Sequence, residues 1–177
     1  MTEIEKTREF AVQAHGDQTY GRDKPYVVHL DDVYHVLCMF GYTDFSIGEA
    51  AYLHDVVEDC GVTVEDLAKQ FGSYVARIVD FCTDEPGSCR REKKATTYAR
   101  MRATLDTAGV SIPAWLKDAV RVKVADRLAN VLASLRGDKP DLIRMYRKER
   151  EIFKAVLYVP GLCDAMWAEY DQILLDS

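Results

Sequence analysis

The chain has no apolar run approaching the roughly 18 residues that a membrane span requires, so no membrane partner is expected. It has no basic excess: 23 Lys and Arg stand against 29 Asp and Glu, for a net charge of −6. That balance excludes a long nucleic-acid duplex as the expected partner, because such binding needs a surface that neutralises phosphates. It has no closely spaced cysteine pair either. Cys38, Cys60, Cys82, Cys89 and Cys163 stand at least 7 residues apart, so no C-x-x-C zinc or redox site is present. Scattered cysteines of this kind read as small hydrophobes in a reducing cytoplasm. The opening residues Met1 to Lys6 lack a basic stretch followed by an apolar one. No secretory signal is therefore expected, and the expected location is cytoplasmic. No repeat, low-complexity segment or linker interrupts the chain, so a single domain over 1–177 is expected.

What is present is enough for a core without disulfides or a structural metal: 177 residues, 48% hydrophobic and 29% charged. Apolar spacing is helical nearly throughout. Thr2 with Glu5 is a capping-box pattern opening a helix over 2–15. A second helix covers 30–40 and stops at Gly41. Residues 44–57 are apolar on more than one face, which predicts a central buried helix. Thr63 and Asp66 open a helix that Gly72 ends, and 73–82 form a short one. Pro86-Gly87 marks a loop at 83–88. A polar segment over 89–108 follows, then helices at 112–136 and 141–158. Pro160-Gly161 precedes a terminal helix. The expected fold is all-α, a compact bundle of eight or nine helices with no strand.

Four histidines are present, and one forms a doublet, His54-Asp55, in the most apolar segment. A charged aspartate there is costly unless it is paired or binds a metal. Glu58 and Asp59 follow one helical turn later, which adds two carboxylates near the same face. Imidazole with carboxylate suits Mn²⁺, Fe²⁺ or Zn²⁺. Taken alone, the doublet also fits a hydrogen-bonded core histidine with a solvated helix end. A second apolar-flanked aspartate, Asp126, has Asn130 four residues on, and His29 follows an extended Pro25-Tyr26-Val27-Val28.

His29, His54-Asp55 and Asp126, in that order, resemble the metal set of the HD phosphohydrolases. Ala14-His15-Gly16-Asp17-Gln18 with Pro25-Tyr26-Val27-Val28-His29 is similar to the A-H-x-x-Q…P-Y-x-x-H opening of the RelA/SpoT-type (p)ppGpp hydrolases. Leu53-His54-Asp55-Val56-Val57-Glu58-Asp59 resembles their L-H-D-x-x-E-D. Phe71-Gly72, Val79 to Thr83, and Lys123-Val124-Ala125-Asp126-Arg127-Leu128-Ala129-Asn130 resemble three further blocks. The similarity spans roughly residues 10–132, without the synthetase and regulatory domains of the large members. It thus points to the small, stand-alone, MESH1-like alarmone hydrolases.

The resemblance implies an HD-domain bundle acting as a metal-dependent 3′-pyrophosphohydrolase that turns ppGpp or pppGpp into GDP or GTP and pyrophosphate. It implies His29, His54, Asp55 and Asp126 as ligands of Mn²⁺, or of another divalent ion. It implies Glu58 and Asp59 as the groups that handle water and the leaving oxygen, and Asn130 as a substrate contact. Large members place Arg-Lys against the guanine base, where this chain has Tyr20-Gly21, followed by Arg22 and Lys24. Tyr20, Arg22 and Lys24 are therefore the expected base and phosphate contacts, with Tyr20 as an aromatic platform. A loop aromatic packed on the first helix is its plainer reading. Tyr146 is a further expected contact, beside Arg144, Arg147, Lys148 and Arg150. A second basic cluster, Arg90, Arg91, Lys93, Lys94, Arg100 and Arg102, fits either phosphate binding or a solvated face. Two other functions stay open. One is the same chemistry on another nucleotide, such as the NADPH 2′-phosphate or a deoxynucleotide; the other is a non-catalytic helical module that binds a nucleotide. The sequence leaves the oligomeric state open.

Overall fold

A computed structural model of the chain describes residues 1–176; Ser177, the last residue of the expected domain, lies outside them. The described residues form nine helical elements: α1 (Glu3–His15), α2 (Val27–Met39), α3 (Phe45–Leu53), α4 (Val56–Asp59), α5 (Val64–Cys82), α6 (Arg90–Ala108), α7 (Ala114–Arg136), α8 (Pro140–Leu157) and α9 (Asp164–Asp176). A minimal antiparallel ladder, β1 (Thr19–Tyr20) with β2 (Lys24–Pro25), sits between α1 and α2. Two paired residues a side are too few to leave an alternating pattern, so no strand was expected there.

Local chemistry sets most helix ends. Thr2 and Thr63 each accept from the backbone N–H three residues on, and Glu5 and Asp66 reach back to close the box. Pro140 occupies the first turn of α8, where its missing N–H costs nothing. Gly72 sits at φ 85 inside α5, a conformation open to glycine, and divides that element into the two expected segments.

α7 is the axis of the bundle. Leu116, Val120, Val122, Ala125, Leu128, Ala129 and Val131 are buried around its circumference, and α2, α3, α5, α8 and α9 pack on it. A helix buried on nearly all sides carries charge at a high cost, so its polar residues need partners. Lys123, Asp126 and Arg127 are such residues.

One expectation is corrected here. Residues 44–57 do not form one helix. The chain turns at His54 and Asp55, with Asp55 at φ −105 and ψ −7, and α4 is a separate single turn. An apolar run reads the same whether the helix continues or bends. The bend lets the doublet project to the point where α2 and α7 meet.

Candidate active site

Three separate parts of the chain deliver side chains to one point. His29 sits in the first turn of α2, its N–H bonded to the Tyr26 carbonyl at 2.9 Å. His54 and Asp55 come from the α3–α4 joint, and Asp126 from the middle of α7. His29 Nε2 lies 3.3 Å from His54 Nε2, 3.5 Å from Asp55 Oδ2 and 3.4 Å from Asp126 Oδ1. His54 Nε2 lies 3.0 Å from Asp55 Oδ2 and 3.9 Å from Asp126 Oδ1. Donor atoms about 2.0–2.2 Å from one ion stand ~3.0–3.5 Å from each other, so this spacing is that of a ligand set. Among the described residues, His29, His54 and Asp55 form a group whose ligand atoms all lie within 4.8 Å of one another; Asp126 stands just outside that group.

The surrounding bonds suit a cation. His54 Nδ1 donates to the Ala51 carbonyl at 2.8 Å, which fixes the tautomer and leaves Nε2 with its lone pair facing His29. Two imidazole nitrogens facing each other beside two carboxylates need a positive charge between them. Burial opposes charge on both histidines, yet Asp126 and Asp55 outweigh it and hold the His29 pKa up, as Asp55 foremost does for His54. Burial likewise opposes charge on the aspartates. His54 and His29 nevertheless hold Asp55 well below the usual carboxylate range, and His29 and Lys123 do the same for Asp126. Tyr26 Oη donates to Asp55 Oδ2 at 2.7 Å, and Asn130 Nδ2 to Asp126 Oδ1 at 2.6 Å. The donor set fits a divalent ion of the Mn²⁺, Fe²⁺ or Zn²⁺ kind.

Glu58 and Asp59 flank this centre on different sides. Glu58 Oε2 accepts from the Asp84 N–H at 3.3 Å. Burial and the nearby Asp84 carboxylate push its pKa above the ordinary value. Asp59 Oδ2 accepts from Gln18 Nε2 at 3.1 Å. Beyond Glu58, the buried Lys123 donates to the Cys82 carbonyl at 2.8 Å and lies 3.6 Å from Asp126 Oδ2 and 3.9 Å from Asp84 Oδ1. Lys94 closes the cluster on Asp84 at 2.6 Å.

On the other side of the centre opens a cavity of about 480 Å³. Tyr20, Arg22, Lys24, Asn130 and Tyr146 all line it, with Lys139 and Leu142 opposite. Thus the structure gathers at one opening every residue expected to touch substrate. Tyr20 packs on His29 rather than on α1, its ring stacked at 4.9 Å and 20°. Its hydroxyl donates to Asn130 Oδ1 at 2.9 Å, so that side chain is committed at both ends.

The basic clusters turn out otherwise. Arg90 pairs with Glu149, Lys94 with Asp84, Arg100 with Glu85 and Arg102 with Asp106. Arg147 donates to the Leu174 carbonyl, Arg150 pairs with Asp171, and Arg144 with Asp141. Most of these charges are spent inside the protein. Lys123 and Tyr26 could have been found beforehand, since each lies three residues before a ligand. Asp84 and Lys94 carried no such signal, because their partners are distant in sequence.

The HD domain family matches residues 7–156. A guanosine-3′,5′-bis(diphosphate) 3′-pyrophosphohydrolase of Vibrio cholerae is 33% identical over 156 residues, 86% of this chain and 21% of its own length. The relative of that name designated MESH1, from Danio rerio, is 34% identical over 131 residues, 71% of this chain and 66% of its own. This chain spans about a fifth of the length of its large bacterial relatives. The solved structure of a metazoan SpoT ortholog that hydrolyzes ppGpp superposes with a TM-score of 0.73, covering 99% of this chain and 96% of that one at 24% identity. At that identity the likeness shows the shared fold. Among the described residues, no helix is long and apolar enough to cross a membrane.

Proposed function

The chain belongs to the HD domain family, and from that premise we propose that it is a metal-dependent 3′-pyrophosphohydrolase of ppGpp and pppGpp, folded as one domain. The observation that carries this reading is the convergence of His29, His54, Asp55 and Asp126 beside a cavity of about 480 Å³ with Arg22, Lys24 and Asn130 in its wall. These four residues would hold Mn²⁺. The ion supplies Lewis acidity, making water nucleophilic near neutral pH and offsetting phosphate charge.

The remaining work falls to the protein. Glu58, whose pKa burial and the Asp84 carboxylate raise above the ordinary value, is suited to pass a proton to the leaving ribose oxygen. Asp59, on the opposite flank, is suited to orient the attacking water and take its proton. Arg22 and Lys24 would draw the phosphates into the cavity. Asn130, bonded to both Asp126 and Tyr20, would face the sugar at the junction of cavity and centre. A nucleotide substrate and five unpaired thiols accord with the cytoplasm.

One observation favours a second reading. Tyr20-Gly21 stands in place of Arg-Lys, and Tyr20 is already engaged by His29 and Asn130. The base preference therefore differs from that of the large enzymes, and another phosphorylated nucleotide is the alternative substrate. Purified protein incubated with Mn²⁺ and ppGpp, pppGpp, NADPH and deoxynucleotides decides between them. Pyrophosphate with GDP or GTP, abolished by a chelator, is the expected result. Phosphate from NADPH or release from a deoxynucleotide, with ppGpp untouched, would transfer the assignment to the alternative.

A further inference from the structure

His15 and Gln18 take no part in the ligand set or the cavity, yet both are fixed more firmly than a surface turn requires. Helix α1 ends at His15 because Gly16 adopts φ 53. The Gln18 backbone is then pinned at both ends. Its N–H donates to the His15 carbonyl and its carbonyl accepts from the Tyr26 N–H, each at 3.0 Å. Its side chain spans a gap: Oε1 meets His15 Nδ1 at 2.7 Å, and Nε2 donates to Asp59 Oδ2 at 3.1 Å.

An amide has one accepting and one donating end, whereas an ionised carboxylate only accepts. The Asp59 side therefore takes Nε2, and Oε1 needs a donor. His15 Nδ1–H is that donor. The imidazole is itself held: it is buried, and its ring stacks on Tyr26 at 4.2 Å and 15°. Tyr26 in turn donates to Asp55. Asp59, by contrast, is an exposed residue at the end of a one-turn helix, with Gly61 at φ 70 just beyond. Without a tether its carboxylate would sample several rotamers.

We propose that Gln18, oriented by His15, is a positioning residue that holds one Asp59 oxygen and so aims the other at the reacting water. This rests on the reading of Asp59 as a proton-handling group.

The test compares Gln18→Ala, Gln18→Glu, Asp59→Ala and the double variant Gln18→Ala/Asp59→Ala on the nucleotide panel, with Mn²⁺ affinity measured alongside. Gln18→Ala should lower kcat about 10–100-fold, the usual scale for a partner that orients a site residue, with KM and Mn²⁺ affinity unchanged. Gln18→Glu keeps the volume but sets oxygen against oxygen, so it should fall at least as far. It also keeps the test alive if the alanine variant folds poorly. The double variant should be no slower than Asp59→Ala, because a residue acting through Asp59 then has nothing to act on. Wild-type kcat in Gln18→Ala, or additive losses in the double variant, would overturn the proposal. A readout independent of turnover is the Gln18 side-chain amide proton resonance. It should move in Asp59→Ala and in His15→Phe, and an unmoved resonance in both would also overturn the proposal. If wild-type protein hydrolyses no nucleotide, the functional reading falls and the catalytic role of Gln18 with it, while that resonance still tests whether His15 and Gln18 hold the Asp59 carboxylate.

Discussion

Asp126 and Arg127 are neighbours on α7, both charged, the first half-buried and the second buried, and their surroundings differ in kind. Arg127 faces the C-terminal helices, where the protein supplies all its needs. It donates to Glu149 Oε2 at 2.7 Å and to Tyr98 Oη at 2.9 Å, with its guanidinium 4.5 Å from the Phe153 ring centre and 5.1 Å from that of Tyr146. Asp126 faces α2 and the α3–α4 joint, where it meets two imidazoles that also approach Asp55. The first arrangement is complete as it stands and ties α7 to α6 and α8. The second gathers imidazole and carboxylate groups of the kind that suit a divalent ion. A buried charge with a full set of protein partners marks architecture, and a convergent set of acceptors marks chemistry.

Four sets of substitutions probe that contrast, in order of falling effect. His54→Ala or Asp126→Ala removes a member of the convergent set and should abolish both Mn²⁺ binding, measured by calorimetry, and turnover. A His54 variant with full metal-dependent activity would erase the distinction. Glu58→Gln or Asp59→Asn leaves the set intact and should keep the metal while slowing kcat by about 10²–10⁴-fold. If both retained wild-type kcat, the flanking carboxylates would belong with the architecture. Arg127→Met should act in the opposite sense, sparing Mn²⁺ affinity but leaving Glu149 with Arg90 as its remaining cation. Because Glu149 is a quarter exposed, the loss should be about 2–3 kcal/mol rather than the full cost of a fully buried pair. Thermal melting should then fall by roughly 5–10 °C. Tyr20→Phe is the mildest, since it deletes one hydrogen bond to Asn130 and retains the stack on His29. It should raise KM about 2–10-fold, the worth of one net hydrogen bond, with melting unchanged.

Most of the helices were legible from apolar spacing and from their punctuation by Thr2, Gly41, Thr63, Gly72 and Pro160-Gly161. The bend at His54-Asp55 was not, because it arises where α2 and α7 converge and leaves no mark on the local pattern. The ligand residues could be named from their types, order and surrounding blocks. Their mutual distances depend on three elements far apart in sequence. The partners of the basic clusters were hidden for the same reason: nothing near Arg90 or Arg150 announces Glu149 or Asp171. Asp84, which lies between the Lys123 and Lys94 ammonium groups, appears only once the 83–88 loop has been folded back toward α7.

The seating of His54 and Asp55 at a helix joint has a thermodynamic consequence. The centre draws on α2, the α3–α4 joint and α7, and no unfolded chain holds those groups together. Ion occupancy and folding are therefore linked equilibria. An ion that binds the native form alone contributes RT ln(1 + [M]/Kd), about 2.7 kcal/mol at a hundredfold excess over Kd. On the proposed function, a cation bound there would act as a clasp across the bundle, and resistance to unfolding would rise and fall with the metal supply.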